Sequence, residues 1–418
     1  MRILHTSDWH LGHTLRGEVA RDHEHQAFLA WLLATCVREA PDVLLITGDV
    51  FDSATPTASA ERMWFEFLAA ARRAHPMEII AIAGNHDSPA RLGASSSVLR
   101  ELGVHVIGSL PRRADGAIDL ERVLIPVAAG RGLVAAVPFL RPVDLGAQDD
   151  ALEAVYGEVL AGARARRGRH QALIATGHLY VAGADAQFLS ERRVSVGGQE
   201  SAPLRLFPDD LSYVALGHVH RAQRVGRETI RYAGAPIPLA LDEASYRHQV
   251  VVADFAGDRA VEIRAVPIPR AVEIVRVPKR GAAPLPAVLA ALSALPPLGE
   301  AAADPARPYL EVVVALERPE PRLRALVEAA LEGKRARLVR IGVETTGDHA
   351  ALADRIGPAR RLAELDPREV FVRLWARDHA EPPDAAVLAA FDRLLAEVRG
   401  DLADPAAPPE EPAEAFVS

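Results

Sequence analysis

The sequence predicts a layered α/β fold, followed by a small second α/β domain and a pair of helices near the C-terminal end. Three observations carry this prediction. Five short apolar runs, at 3–6, 43–47, 79–83, 172–176 and 213–216, have the uninterrupted hydrophobic text of strands covered on both faces. Helical periodicity between the first three makes the opening β-α-β-α-β, which implies parallel crossovers. After Pro267-Ile268-Pro269 the alternation of strand and helix starts afresh on a shorter scale, as a separate small domain requires.

In order along the chain, Phe28, Trp31, Leu32, Thr35 and Cys36 recur at helical spacing before Pro41-Asp42 leads into the second strand. A second helix is expected near 58–74, where Met63, Trp64, Phe67, Leu68 and Ala71 form an apolar stripe that ends at His75-Pro76. Beyond Gly103 the text changes to short strand-like pieces at 104–107, 123–127 and 133–137, expected to be mixed strands rather than further crossovers. A helix at about 149–166 leads into the fourth run, and further strands are expected around 229–233 and 248–255. The small domain reads as strand 272–277, helix 285–294, strand 309–316, helix 320–332 and strand 336–344, with the Pro- and Ala-rich stretch 296–308 as a loop.

A weakly patterned connector precedes the last helical pair. Asp366, Pro367 and Glu369 form a capping-box-like start for its first helix, whose apolar face is Val370, Phe371, Leu374 and Trp375. The second follows Pro382-Pro383-Asp384 and carries Val387, Leu388, Phe391, Leu394, Leu395 and Val398. From Asp401 onward the chain has acidic residues, Pro and Ala and no basic residue, the composition of a disordered tail.

The 418 residues are 49% hydrophobic and 25% charged, an ordinary globular balance for two or three domains. The single cysteine, Cys36, has no intrachain partner, so a disulfide framework is excluded and a reducing compartment is expected. No signal-like segment and no apolar stretch of the roughly 18–20 residues a membrane span needs is found, and a cytoplasmic location is the expectation. The net charge of -8 argues weakly against a broad basic surface for nucleic acid, but a metal cleft rich in carboxylates lowers net charge without excluding a nuclease.

Each of the five runs ends in a short polar motif: Asp8-Trp9-His10, Gly48-Asp49, Gly84-Asn85-His86-Asp87, Gly177-His178 and Gly217-His218-Val219-His220. Sites in layered α/β folds form beyond the carboxyl ends of the strands, so motifs far apart in sequence can meet there. Together they describe a site for two divalent ions. Two such ions need an anionic bridge to offset their repulsion, and Asp49, at the end of a central strand after a glycine, is the candidate. Asp8 and His10, two residues apart, can chelate one ion, while Asn85 and His178 suit the other. The spacing of His218 and His220 leaves open whether they share an ion. Nitrogen and oxygen donors without thiolate favour Mn²⁺, Fe²⁺ or Zn²⁺, with Mn²⁺ preferred. His86, beside a ligand position, is placed to protonate a leaving oxygen or stabilise charge on phosphorus, with Asp87 expected to orient its ring. The ions would activate water for in-line attack, so no Ser or Cys nucleophile is required.

In their order, these motifs resemble those of the calcineurin-like metallophosphoesterases, over roughly residues 1–255. Longer stretches are similar to the bacterial SbcD nuclease-subunit family: Thr6-Ser7-Asp8-Trp9-His10-Leu11-Gly12, Glu24-His25-Gln26-Ala27-Phe28-Leu29, Gly48-Asp49-Val50-Phe51-Asp52, the run 215–223, the run 232–239, and Leu362-Ala363-Glu364-Leu365-Asp366-Pro367 with Glu369-Val370-Phe371. The resemblance implies a β-sandwich flanked by helices over 1–268, a small α/β capping domain over 269–345, a linker over 346–365, a helical pair over 366–399 that docks on a coiled-coil ATPase, and a tail over 400–418. It implies that Asp8, His10, Asp49 and His220 hold one ion, that Asp49, Asn85, His178 and His218 hold the other, and that His86 is the catalytic histidine. It further implies a Mn²⁺-dependent nuclease acting on DNA, 3′ to 5′ on duplex ends and endonucleolytic on single strands and hairpins. The implied partner is an SbcC-like coiled-coil ATPase, in a complex with two copies of each subunit, and the implied setting is DNA repair, replication and recombination.

Part of the wider family carries a second catalytic histidine where this chain has Asp52. Asp52 is therefore given no proton-transfer role; a cap on the following helix is favoured over orientation of a neighbour. His13, His23 and His25 are read as exposed or supporting residues rather than ligands. Arg335, Arg337 and Arg340 are either phosphate contacts of the capping domain or an exposed basic strand.

Overall fold

The structure, a computed structural model, describes residues 1–145, 150–185, 201–298, 305–345, 368, 371–372, 375 and 382–399. The chain divides into two compact units, Met1–Thr345 and Thr346–Ser418.

The first unit opens with β1 (Arg2–Thr6), a short hairpin of β2 (Thr14–Leu15) and β3 (Val19–Ala20), α1 (Asp22–Glu39), β4 (Val43–Thr47), α2 (Ala58–Ala74) and β5 (Glu78–Ile82). Two short helices, α3 (Pro89–Gly93) and α4 (Ser96–Glu101), lead to β6 (Val104–Ile107), then come α5 (Leu120–Val123), β7 (Leu124–Val127), β8 (Gly132–Ala135), α6 (Ala151–Arg166) and β9 (Ala172–His178). The strands β10 (Tyr213–Gly217), β11 (Gln223–Val225), β12 (Arg227–Tyr232), β13 (Gln249–Ala256) and β14 (Arg259–Pro267) complete the main body. They make two six-stranded sheets, ordered β14-β13-β1-β4-β5-β6 and β11-β12-β10-β9-β8-β7.

Alternate residues of each strand point to opposite faces, which explains the uninterrupted apolar runs. Ile3, Val43, Leu45, Ile80 and Ile82 of the first sheet pack against Val134, Ile174, Tyr213 and Ala215 of the second. Their neighbours Leu4, Leu44 and Ile46 face outward onto Phe28 and Leu32 of α1 and Trp64 and Phe67 of α2. On the far side, Leu133, Leu173 and Val214 meet Val155, Tyr156 and Val159 of α6. The result is a four-layer α/β/β/α sandwich. Thr57 caps α2, its hydroxyl accepting from the Ala60 amide at 3.2 Å, so the cap expected of Asp52 belongs to a residue nearer the helix.

Two expectations change. The piece at 104–107 is not a mixed strand: β6 pairs parallel with β5 and extends the opening crossover sheet, and only β7 turns antiparallel, against β8. The edge strand β14 was not expected because Arg259, Glu262 and Arg264 interrupt its apolar text; it pairs antiparallel with β13, leaving much of its length open to solvent.

The small sheet contains β15 (Ile274–Val277), β16 (Ala283–Pro284), β17 (Tyr309–Leu316) and β18 (Arg337–Thr345), with α7 (Leu285–Ser293) and α8 (Leu323–Ala330). β17 pairs parallel with β15, β16 and β18. Val288 and Leu292 of α7 and Val327 of α8 cover Leu310, Val312 and Val314. Tyr309 and Val272 pack on Leu15 of the hairpin, which joins this sheet to the main body.

In the second unit, α9 (Ala385–Arg399) is capped by Asp384, whose Oδ1 accepts from the amides of Ala386 and Val387 at 2.9 and 2.8 Å. Phe371 stacks on Phe391 with ring centroids 4.2 Å apart, as the helical spacing of both apolar faces anticipates. The expected cap at Asp366, Pro367 and Glu369, the connector 346–365 and the tail 400–418 lie outside the described residues. Among the described residues no helix is long and apolar enough to cross a membrane.

Candidate metal centre

The loops that leave β1, β4 and β5 are laced together by backbone hydrogen bonds: Asp8 N donates to Gly48 O at 3.0 Å and His10 N to Asp49 O at 2.9 Å. Trp9, fully buried between the two ligand candidates of its motif, is boxed by Phe28, Trp64 and Phe67 with ring centroids 5.3–5.7 Å away. Those edge-to-face contacts fix the turn from behind. The second sheet closes the site, with the His218 amide donating to Asp8 Oδ1 at 2.8 Å.

The backbone is strained where the motifs meet. Asp8, His10, Asp49 and His218 take positive φ of 53°, 48°, 46° and 97°. Non-glycine residues in that region cost about 1–3 kcal/mol each and persist where surrounding structure holds them, most often at functional sites. Close approach also explains two glycines. A Cβ on Gly84 would stand 2.1 Å from Asp49 Oδ1, and one on Gly217 would stand 1.8 Å from Thr47 O.

The side chains of all seven ligand candidates are drawn together. Asp49 Oδ2 lies 3.5 Å from His10 Nε2 and 3.2 Å from His178 Nε2. Asn85 Oδ1 lies 3.0 Å from His178 Nε2 and 2.9 Å from His218 Nδ1. Ligand atoms of His10, Asp49 and His86 lie within 4.8 Å of one another, as do those of Asp8, Asp49 and His178, so Asp49 belongs to both groups. The His10 and His220 rings are 5.2 Å apart.

Four imidazoles are held by Nδ1, which leaves Nε2 as the other ring nitrogen. Nδ1 of His10 pairs with Asp52 Oδ1 at 3.1 Å, that of His86 with Asp52 O at 2.8 Å, that of His178 with Thr47 O at 2.9 Å, and that of His220 with Glu243 Oε1 at 2.9 Å. Nδ1–H donation to an oxygen sets the tautomer and directs the Nε2 lone pair, the usual arrangement behind a metal-ligating histidine. His10 Nε2 is buried without a hydrogen-bond partner. Donor set, burial and ring orientation all fit divalent cations.

Asp52 thus orients His10 and, through its carbonyl, His86. Asp87 does not hold the His86 ring: its buried carboxylate accepts from the amides of Gly84, Val50 and Phe51 at 2.8, 3.1 and 2.9 Å and ties two ligand loops together. His23 is exposed, His13 is half-buried at the rim, and His25 is buried with Nε2 3.0 Å from Trp9 O. Thr47 O and Glu243 were missed by sequence reasoning. A backbone carbonyl leaves no mark in sequence, and Glu243 belongs to no motif.

Electrostatics follow from crowding. Burial alone would raise the Asp49 carboxyl, but His178, His10 and His86 outweigh it and hold it well below the usual carboxylate range. Burial opposes charge on His178, yet without a bound cation Asp49 and Asp8 push it up to about 9, and metal binding displaces the Nε2 proton. Burial and then the positive His178 push His218 down to about 3, and burial lowers His86 despite Asp49. Asp87 is pushed up to about 6 by burial and by Asp49, against its three amide donors. The cavity over the cluster, about 230 Å³, is bordered by His10, His13, Asp49, Asp52, Asn85, His86, His218, His220 and the segment Leu239–Ala240. A cavity of about 390 Å³ behind Pro236–Pro238 is larger but mainly apolar and contains neither ligand group.

Residues 1–222 match the family described as calcineurin-like phosphoesterase, and residues 270–379 match the one described as type 5 capsule protein repressor C-terminal domain. The SbcD subunit of the SbcCD nuclease from Rhodobacter capsulatus is 42% identical over 393 residues, 89% of this chain and 93% of that protein. The SbcD subunits from Escherichia coli K12 and Bacillus subtilis 168 are each 35% identical, over 64% and 61% of this chain and 68% and 66% of their own length. Similarity of that extent, over a sandwich whose strand ends gather this donor set, means that the chain belongs to the calcineurin-like phosphoesterases and, within them, to the SbcD family.

Proposed function

We propose that this chain is the nuclease subunit of an SbcC–SbcD-type complex and hydrolyses DNA phosphodiester bonds at a two-metal centre. The observation that carries the reading is the group of imidazoles anchored through Nδ1 around Asp49, in a chain similar to proteins named as nuclease subunits over most of its length. In this reading Asp8, His10, Asp49 and His220 hold one ion and Asp49, Asn85, His178 and His218 the other. Asp49 reaches both: its Oδ2 lies 3.5 Å from His10 Nε2 of the first set and 3.2 Å from His178 Nε2 of the second. Imidazole and carboxylate donors without thiolate suit Mn²⁺, Fe²⁺ or Zn²⁺, and Mn²⁺ is the ion that the resemblance to the SbcD family implies. The ions, when bound, supply an activated water and offset the charge that develops on phosphorus.

The protein residues do the rest. The Asp52 carbonyl holds the His86 ring so that Nε2 borders the cleft, where it delivers a proton to the leaving oxygen or hydrogen-bonds the phosphoryl oxygens. The small sheet over 269–345 serves as a capping domain. Arg337 and Arg340 are partly engaged within it, over the Tyr309 ring and with Glu311 at 3.1 Å, so phosphate contact there is secondary. The helical pair 366–399 binds the coiled-coil ATPase, in a cytoplasmic, nucleoid-associated complex with two copies of each subunit. Activity comprises 3′ to 5′ exonuclease action on duplex ends and endonuclease action on single strands and hairpins.

The test is cleavage by the chain coexpressed with its ATPase, in Mn²⁺, with and without ATP. DNA hairpins and duplex ends are degraded, and His86→Ala abolishes cleavage while retaining two bound ions. Hydrolysis of small phosphodiesters with no DNA cleavage would refute the proposal. Deleting 366–399 removes the ATPase from a pull-down; retained binding would place the partner surface elsewhere.

A further inference from the structure

Glu243 lies in a short helical turn, Leu241–Ser245, beyond the last ligand motif, and is fully buried. A buried carboxylate is costly unless its oxygens are satisfied, and here each has a defined partner. Oε1 pairs with Nδ1 of His220 at 2.9 Å, and Oε2 accepts from the Leu239 amide at 2.7 Å. The other polar atom of that same peptide group, Pro238 O, accepts from Arg21 Nη1 at 2.8 Å. One peptide plane is therefore pinned from both sides.

Arg21 is itself fully buried and forms an ion pair with Glu24, Nη2 to Oε1 at 2.7 Å. The same Glu24 accepts from the hydroxyl of Tyr309, the first residue of β17, at 2.7 Å, and the Arg21 guanidinium lies 5.1 Å over the Tyr309 ring. A continuous set of buried hydrogen bonds thus runs from the small sheet through Arg21 and the Pro238–Leu239 peptide to a ring of the metal cluster.

We propose that Glu243 is a positioning residue that sets the tautomer and orientation of His220, and that the Pro238–Leu239 peptide couples this placement to the seating of the small sheet at Tyr309. The inference rests on the two-metal reading. A carboxylate can accept at both oxygens, from the imidazole N–H and the amide N–H. A glutamine cannot: when its oxygen serves Leu239, its NH₂ faces Nδ1 and favours the tautomer with the proton on Nε2, the nitrogen needed for a metal.

The experiment titrates the metal-free full-length chain with Mn²⁺ by calorimetry and reads the His220 tautomer by ¹⁵N NMR. His220→Ala is the control for the underlying reading: if it still binds two ions with unchanged affinity, the two-metal assignment fails, whatever Glu243 does. With that control losing one ion, Glu243→Gln is expected to weaken one binding step about 10–100-fold, leave the other in place and move the His220 proton to Nε2. Tyr309→Phe, which removes only a hydroxyl, weakens the same step by a smaller factor, about fivefold, and adds nothing in the Glu243→Gln background. Wild-type affinities and an unchanged tautomer in folded Glu243→Gln overturn the role of Glu243. If that variant does not fold, Glu243→Asp decides: its shorter carboxylate weakens the same step, and an unaltered titration overturns the role. Wild-type affinity in Tyr309→Phe overturns the coupling to the small sheet.

Discussion

Replacing Gly84 with alanine puts one methyl group where the site has no room for it. The new Cβ would stand 2.1 Å from Asp49 Oδ1 and 2.3 Å from the Asp49 backbone nitrogen, more than an ångström inside the 3.4 Å at which ordinary contact begins. Rotating the Asp49 side chain relieves only the first contact; the second requires the β4 and β5 loops to part. Overpacking of this kind costs about 1–3 kcal/mol, which in a unit of this size lowers Tm by roughly 1–5 °C. The functional effect should be larger than the stability effect. Asp49 carries the contacts to His10 and His178, and a misplacement of about 1 Å at a reacting centre can reduce rate about 100-fold. Gly84→Ala should therefore lower Mn²⁺-dependent cleavage of a DNA hairpin by about 100-fold or more, with a modest fall in Tm and weaker Mn²⁺ binding in a calorimetric titration. Wild-type cleavage and Tm together would refute the steric argument, because no relaxation of side chains alone can clear the Asp49 backbone.

Asp52→Asn keeps the carbonyl that holds His86 but weakens the hold on His10 Nδ1; Mn²⁺ affinity should fall about 10–100-fold while the metal-free Tm stays close to wild type, as calorimetry and circular dichroism would record. Stripping the metal with a chelator should lower Tm, since ions at about 100 times their Kd contribute about 2.7 kcal/mol, and re-adding Mn²⁺ should restore it; an unchanged melting curve would argue against ion binding at the cluster. Cys36, fully buried with its thiol pushed up to about 12 by that burial, should be inert to a thiol reagent at pH 8, where about one molecule in ten thousand carries thiolate, and should react fully once guanidinium unfolds the chain. Rapid labelling of the native protein would mean that α1 is not packed as described.

Most of the sandwich was legible because its signals are local. The apolar runs at 43–47 and 213–216 coincide with β4 and β10 almost residue for residue, since a strand covered on both faces must be apolar throughout. The helix 58–74 followed from its stripe and its break at His75-Pro76. β14 was not legible, because one half-exposed face lets charges interrupt the pattern, and β6 was misread because its partner, not its own sequence, decides whether it is parallel.

At the site, the sequence alone determined which side chains meet. The five motifs end five strands, and the ends of adjacent strands lie together, so Asp8, His10, Asp49, Asn85, His86, His178, His218 and His220 could be named from sequence. It did not determine how they are held. Asp52 reaches His10 across 42 positions, Thr47 holds His178 across 131, and Glu243 holds His220 from a turn outside every motif. Those contacts depend on sheet register and loop geometry, and the one from Thr47, like that of Asp52 O to His86, is made by a backbone carbonyl, which every residue possesses and no sequence pattern marks. Residue types and their order selected the donors; only the tertiary structure decided which nitrogen of each ring is anchored and which is directed into the cleft.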